Sequence, residues 1–168
     1  MFRKLLVPTD GSPLSEKSAK AALAFASATG ASVVGLSVAQ LYPFMLMPEA
    51  GAMVDLSTYE EMQDKSAQQA MQKLREMARD AGVACEVISQ RGVHPYEEII
   101  AIAESRDCDL IWMASHGRKG LDKLLLGSET QRVLAHARMP VLVYRDPEAN
   151  SDRKLDLSPD VQSRPGAQ

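Results

Sequence analysis

Two short loops hold residue types that can bind an anion. The first is Pro8-Thr9-Asp10-Gly11-Ser12. The second runs Ala114-Ser115-His116-Gly117-Arg118-Lys119-Gly120 and continues to Gly127-Ser128-Glu129. Gly117 and Gly120 lack a Cβ, so their backbone N–H groups can come close to a phosphate. Gly127 and Ser128 stand where a helix should begin, and the unpaired N–H groups and dipole of a helix start favour negative charge. Ser115 and Ser128 add hydroxyls. Arg118, Lys119 and Lys123 read either as a local positive field or as a solvated face. Asp10 has two readings. It can accept hydrogen bonds from a ribose or base, or help hold a metal near phosphates; equally, it can be a turn residue before Gly11. His116 is a donor to phosphate, a part-time base, or a residue that shapes the loop.

The common phosphate and nucleophile signatures are absent. The chain has no GxxxxGK(S/T) loop, no GxGxxG after a strand and no GxSxG elbow. His94 reads as a helix cap and His136 as a helix-surface residue, and no metal cluster or catalytic triad is evident. Cys85 and Cys108 fall in a strand and at a helix end, at a spacing that fits neither zinc nor a redox pair. They read as small part-buried thiols in a reducing compartment.

The elements that must position the two loops follow from periodicity. Residues 2–7 read as a first strand stopped by Pro8. Ser12-Pro13 is a helix start, and Leu14, Ala21, Ala22, Phe25 and Ala26 give a helical face closed by Gly30. Residues 31–38 are a buried strand, and residues 39–56 a long connection rich in Met, Phe, Leu and Pro. Ser57-Thr58-Tyr59-Glu60 reads as a capping box. Ala67, Ala70, Met71, Leu74, Met77, Ala78 and Ala81 then recur every three or four residues up to Gly82. Residues 83–89 predict a third strand, Tyr96 to Ala103 a helix, 109–114 a buried strand, 128–138 a helix and 140–144 a last strand. Strict β-α alternation means a parallel sheet with helices on both faces. Ligands bind beyond the carboxyl ends of such strands, where the strand order reverses. Both loops lie there.

The 168 residues are 45% hydrophobic and 24% charged, about one domain's worth of ordinary globular composition. A formal net charge of −3 argues against a nucleic-acid binder. Residues 21–48 carry no charge, but Ser27, Thr29, Gly30, Ser32, Gly35 and Ser37 interrupt them. A membrane span needs about 20 predominantly apolar residues. The start is too short for a signal-peptide core. From Asp146 the composition turns polar, and residues 146–168 read as a disordered tail behind a domain of residues 1–145.

Leu5-Leu6-Val7-Pro8-Thr9-Asp10-Gly11-Ser12, Gly92-Val93-His94-Pro95, Asp109 to Arg118, Leu124-Leu125-Leu126-Gly127-Ser128 and Pro140-Val141-Leu142-Val143-Tyr144 occur in the order found in UspA-type universal stress proteins, which the chain resembles over residues 2–145. The resemblance implies an open five-stranded parallel α/β sheet of order 3-2-1-4-5. This is Rossmann-like, of the adenine nucleotide alpha hydrolase kind, and usually forms a cytoplasmic homodimer paired through the last strand, here 140–144. It also implies ATP binding through G-x2-G-x9-G-(S/T). Gly117, Gly127 and Ser128 match that motif, and Ala114 stands at the first glycine position, adding a methyl where a ligand could approach. By the same resemblance the nucleotide would meet Pro8, Thr9, Asp10, Val38, Ala114, Ser115, His116, Gly117, Arg118, Gly120, Gly127, Ser128 and Glu129. Val38 would offer its backbone to adenine. An accompanying Mg2+ or Mn2+ is left open.

Three functions fit these residues. The leading one is a regulatory nucleotide-binding stress protein that acts by occupancy rather than turnover, without nucleic acid or membrane as partner. The second is a scaffold or chaperone-like protein of the same fold that binds no nucleotide. Ala114 leans that way, as do the apolar Leu41, Tyr42, Phe44, Met45, Leu46 and Met47, which could instead pack over the sheet edge or pocket. The third is a slow ATPase. The loop after the first strand lacks the paired glycines of nucleotide α-hydrolases, and no positioned base is evident beyond His116.

Overall fold

The computed structural model describes residues 1–41, 56–117 and 126–146. Strand β1 is Lys4–Pro8, followed by helix α1 (Pro13–Thr29), β2 (Ser32–Gln40), α2 (Leu56–Asp80) and β3 (Cys85–Gly92). Then come α3 (Pro95–Ser105), β4 (Leu110–Ala114), α4 (Ser128–His136) and β5 (Val141–Tyr144). The five strands form one parallel sheet in the order β3-β2-β1-β4-β5.

This order decides where the helices lie. Crossovers between parallel strands are right-handed. From β1 the chain steps outward through β2 to β3, then returns past β1 to β4 and β5, so the direction of travel reverses. The first two helices therefore cover one face and the last two the other. The core divides accordingly. Leu5, Val7, Val33, Leu110 and Trp112 pack with Ala19, Ala22, Leu23 and Ala26 of α1 and Met71, Leu74 and Ala78 of α2. The alternate strand residues Leu6, Val34, Leu36, Ile111 and Met113 pack with Ile99, Ala103 and Val133 on the other side. A central strand buried on both faces must be apolar throughout, as Leu5-Leu6-Val7 is, with at most 1% exposed.

The helix ends obey the expected chemistry. Ser12 Oγ accepts the N–H of Ser15 at 3.2 Å, and Gly30 closes α1 in the left-handed region at φ 72°. The face of α1 that meets the sheet differs from the expected one. It is Ser15, Ser18, Ala19, Ala22, Leu23 and Ala26, while Leu14, Ala21 and Phe25 are only half-buried. Small residues let this helix lie close to the strands, and the larger ones flank the contact. Ser18 Oγ and Trp112 Nε1 are buried there without a hydrogen-bond partner among the described residues. On α2 the burial of Ala67, Met71, Leu74 and Ala78 matches the periodicity. Gly35 of β2 admits this helix: a Cβ there would stand 2.2 Å from Leu74 Cδ2.

Several boundaries move. β2 continues to Gln40, and β3 runs from Cys85 to Gly92 rather than from 83 to 89, because its eight residues pair one for one with Val33–Gln40. α2 begins at Leu56, so Ser57 is its second residue rather than its cap. His94 occupies the cap position of α3 but makes no side-chain cap bond. The connection expected over 39–56 is reduced to Leu41 and residues 42–55; the latter, with Tyr42, Phe44, Met45, Leu46 and Met47, lie outside the described residues. Residues 147–168 do too, whereas Asp146 is ion-paired with Lys17 at 2.7 Å.

Asp109 secures the far end of the sheet. Its carboxylate accepts the backbone N–H of Arg3 at 2.8 Å and of Lys4 at 3.0 Å, just where β1 begins beside β4. Burial pushes its pKa up, but these backbone donors and the Arg3 charge outweigh it and hold the carboxyl below its ordinary value. A depressed folded pKa gives stability that is present above the unfolded value of roughly 3.9 and is lost as pH falls through the folded one. Asp109→Asn is therefore expected to lower Tm most above pH ~4 and least in stronger acid. A Tm difference from the parent that stays constant across this range would remove Asp109 from the pH dependence.

Candidate functional site

The reversal of strand order leaves β1 and β4 side by side, with the helices that follow them on opposite faces of the sheet. A cavity of about 530 Å3 opens at this place, within the roughly 300–1,000 Å3 range of small-molecule sites. Its walls come from both faces of the sheet. Pro8, Thr9 and Asp10 follow β1, while Leu36, Ser37, Val38 and Gln40 end β2. Met113, Ala114, His116 and Gly117 end β4 and its loop, and Gly127, Ser128, Glu129, Thr130 and Arg132 open α4. Ser15 of α1, Gln63, Ser66 and Ala67 of α2 and Pro95 and Ile99 of α3 complete it.

The β1 loop is a compact set of local hydrogen bonds. Asp10 Oδ1 accepts the N–H of Ser12 at 3.0 Å, so the turn reading of Asp10 holds beside its place in the cavity. Thr9 Oγ1 accepts the N–H of Gly11 at 3.2 Å and lies 2.9 Å from Ser15 Oγ. Gly117 of the β4 loop comes against this turn. A Cβ at Gly117 would stand 2.5 Å from Asp10 Oδ2, so the missing side chain is what allows the two loops to meet.

The β4 loop is braced at both ends. Ser115 donates its N–H to Tyr144 O of β5 at 2.8 Å, and Gly127 donates to Ser115 O at 2.8 Å. Thr130 Oγ1 donates to Ala114 O at 3.0 Å, tying the first turn of α4 to the end of β4. Gly127 sits so close that a Cβ would be 3.1 Å from His116 Cα. The N-terminus of α4 is thereby held at the mouth of the cavity, where its first N–H groups and dipole offer a place for negative charge.

Of the residues expected at the site, the fold brings together Pro8, Thr9, Asp10, Val38, Ala114, His116, Gly117, Gly127, Ser128 and Glu129. Ser115 is buried behind the loop and does not line the cavity; its hydroxyl lies 3.2 Å from His116 Nδ1. Arg118 and Gly120, with Lys119 and Lys123, lie outside the described residues. Glu129 has a structural task as well. Its carboxylate accepts the N–H of Tyr96 at 2.9 Å, at the start of α3, and pairs with Arg132 at 3.2 Å. Arg132 in turn stands 5.5 Å from the Tyr96 ring centroid, a cation–π distance. His136 is exposed on α4, as expected.

Sequence reasoning missed Ser15, Ser37, Gln63, Ser66, Thr130 and Arg132. Some signal was available. Ser37 interrupts an otherwise apolar buried strand, and Gln63 and Ser66 continue the apolar stripe of α2 by one turn toward the ends of the strands. No three His, Cys, Asp or Glu side chains among the described residues are grouped to hold a metal ion. The Cys108 thiol is pushed up to about 11, chiefly by burial, and Cys85 is raised for the same first reason. Both are poor nucleophiles. No described helix is long and apolar enough to cross a membrane.

The architecture is thus a doubly wound parallel α/β protein with a ligand-sized cavity at its switch point. The chain belongs to the universal stress protein family, whose family model matches residues 1–145. It is 36% identical over 148 residues to universal stress protein MJ0531 of Methanocaldococcus jannaschii, covering 88% of this chain and 85% of that protein. The solved structure of protein MJ0577 superposes with a TM-score of 0.67 at 31% identity, over 87% of this chain and 97% of that one. A universal stress protein solved in complex with cAMP shares the fold at a TM-score of 0.62 and 19% identity, over 86% of this chain and 97% of that one.

Proposed function

We propose that this protein binds an adenine nucleotide, ATP in the first instance, in the cavity at the ends of β1, β2 and β4, and that occupancy rather than turnover is its output. The observation that carries this reading is the convergence of Asp10, Gly117 and the Gly127-Ser128 start of α4 on one cavity of about 530 Å3. Phosphates would lie against the N–H groups of α4, and Asp10 would accept from the nucleoside. Val38 would offer backbone groups to the base. The cAMP complex of a protein with the same fold supports the ligand class. Nucleotide occupancy would then bias a conformational or partner equilibrium.

The remaining parts of the proposal follow the family resemblance. Residues 1–145 would form the functional domain, working in the cytoplasm as a homodimer. β5 is an edge strand whose four residues are all only half-buried, and such an edge needs a cover. The scaffold reading is favoured by one observation: Ala114 lines the cavity at the first motif glycine, where its methyl occupies space. Calorimetric titration of ATP with and without Mg2+ separates the two. Saturable heat supports nucleotide binding, and its dependence on Mg2+ tells whether a cation accompanies the phosphates. No heat at millimolar ATP makes the scaffold reading the better one.

A further inference from the structure

The cavity has two chemically different ends. At α4 the groups suit an anion. Between α2 and β2 they do not. Ser37 faces the α2 side, because its neighbours Leu36 and Val38 belong to the opposite layer of the core. Gly35, two residues earlier on the same face, lies under Leu74 of α2. Moving up β2 by two residues moves back along α2, so Ser37 lies across from Gln63, Ser66 and Ala67, which line the same cavity.

Ser37 is 4% exposed, yet its hydroxyl hydrogen-bonds none of the described residues. It is also not among the buried side-chain polar atoms closed off from solvent. Buried hydroxyls are normally paired, so an open one on a cavity wall calls for a partner from the ligand. The adjacent hydroxyls cannot substitute for it as donors. Ser15 Oγ gives its proton to Ser12 O at 2.9 Å, so the 2.9 Å contact with Thr9 is donated by Thr9. Both protons are committed within the protein. Gln63 donates from Nε2 to Tyr59 Oη at 2.8 Å. Ser37 thus retains a donor and acceptors together, on a wall whose other polar side chains, Gln63 and Ser66, are uncharged.

We infer that Ser37, walled by Gln63, Ser66 and Ala67, forms a neutral subsite that hydrogen-bonds the uncharged nucleoside part of the ligand while α4 takes its phosphates. This rests on the nucleotide reading above and adds the residue that tells a nucleotide from a bare polyphosphate. Ser37→Ala removes a hydroxyl with no partner among the described residues, so the ligand-free protein should keep its Tm or gain slightly. Its ATP affinity should fall roughly five- to thirtyfold, the worth of one hydrogen bond into a buried site. Tripolyphosphate affinity should not change.

The test titrates wild type and Ser37→Ala with ATP, 2′-deoxyATP and tripolyphosphate, and follows Tm without ligand. Loss for ATP alone places Ser37 on the sugar hydroxyl, and equal loss for ATP and 2′-deoxyATP places it on the base or the rest of the sugar; both support the subsite. Wild-type ATP binding with an unchanged Ser37→Ala affinity overturns the subsite and leaves the nucleotide reading standing. Equal loss for tripolyphosphate also overturns it. Absence of ATP binding in wild type overturns the nucleotide reading and the subsite with it.

Discussion

Gly127→Val is expected to lower ATP affinity by about a hundredfold or more while leaving the protein folded. The reason is local. A Cβ at this position stands 3.1 Å from His116 Cα and 3.5 Å from Ser115 O, and valine adds two further carbons. The loop cannot yield freely, because Gly127 N–H is bonded to Ser115 O at 2.8 Å and Thr130 Oγ1 to Ala114 O at 3.0 Å. The backbone must therefore shift at the first turn of α4, where the proposed phosphate donors lie. Displacing two such donors, each worth about 1.5–3 kcal/mol to a charged acceptor, gives an effect of this size. Overpacking at one site costs about 1–3 kcal/mol, so circular dichroism and Tm must accompany the titration. Folded Gly127→Val protein with wild-type affinity would remove α4 from the site.

Asp10→Ala is expected to weaken ATP roughly tenfold or more, again by loss of one charged hydrogen bond to ligand. Its carboxylate has two tasks. Oδ1 holds the N–H of Ser12 at 3.0 Å, and Oδ2 lies where a side chain at Gly117 would be. Asp10→Asn separates them, since the amide keeps an acceptor for Ser12 but loses the charge. An intermediate affinity for Asp10→Asn is the expected result, measured by the same titration. Unchanged affinity in Asp10→Ala would leave this residue as a turn former and nothing more.

The fold was legible because each element has its own local signal. A short run such as Leu5-Leu6-Val7, stopped by Pro8, suits a strand covered on both sides, and Ser12-Pro13 and Gly30 bracket α1 by chemistry that acts within one turn. The helix faces were less legible. On α1 the buried stripe includes Ser15 and Ser18, which a hydrophobicity pattern passes over because closeness to the sheet, not apolarity, selects them. The candidate site shows the same division. Asp10, Gly117, Gly127 and Ser128 stand in two loops at strand ends, where residue type marks them as candidates and the family resemblance picks them out. Ser37, Gln63 and Ser66 come from the interior of a strand and a helix. Only the packing of α2 over Gly35 brings them to the cavity. Glu129 could be named at the site, but its bond to the start of α3 is a tertiary fact.

Whether this protein carries an adenine nucleotide decides between a nucleotide-binding protein and a scaffold. The most direct measurement denatures natively purified protein and identifies what is released by mass spectrometry, with ATP titrated into the refolded or stripped protein alongside. The expected result is an adenine nucleotide approaching one per chain, or saturable binding where the ligand was lost in purification. An empty cavity together with no binding at millimolar ATP would rule out the nucleotide-binding function.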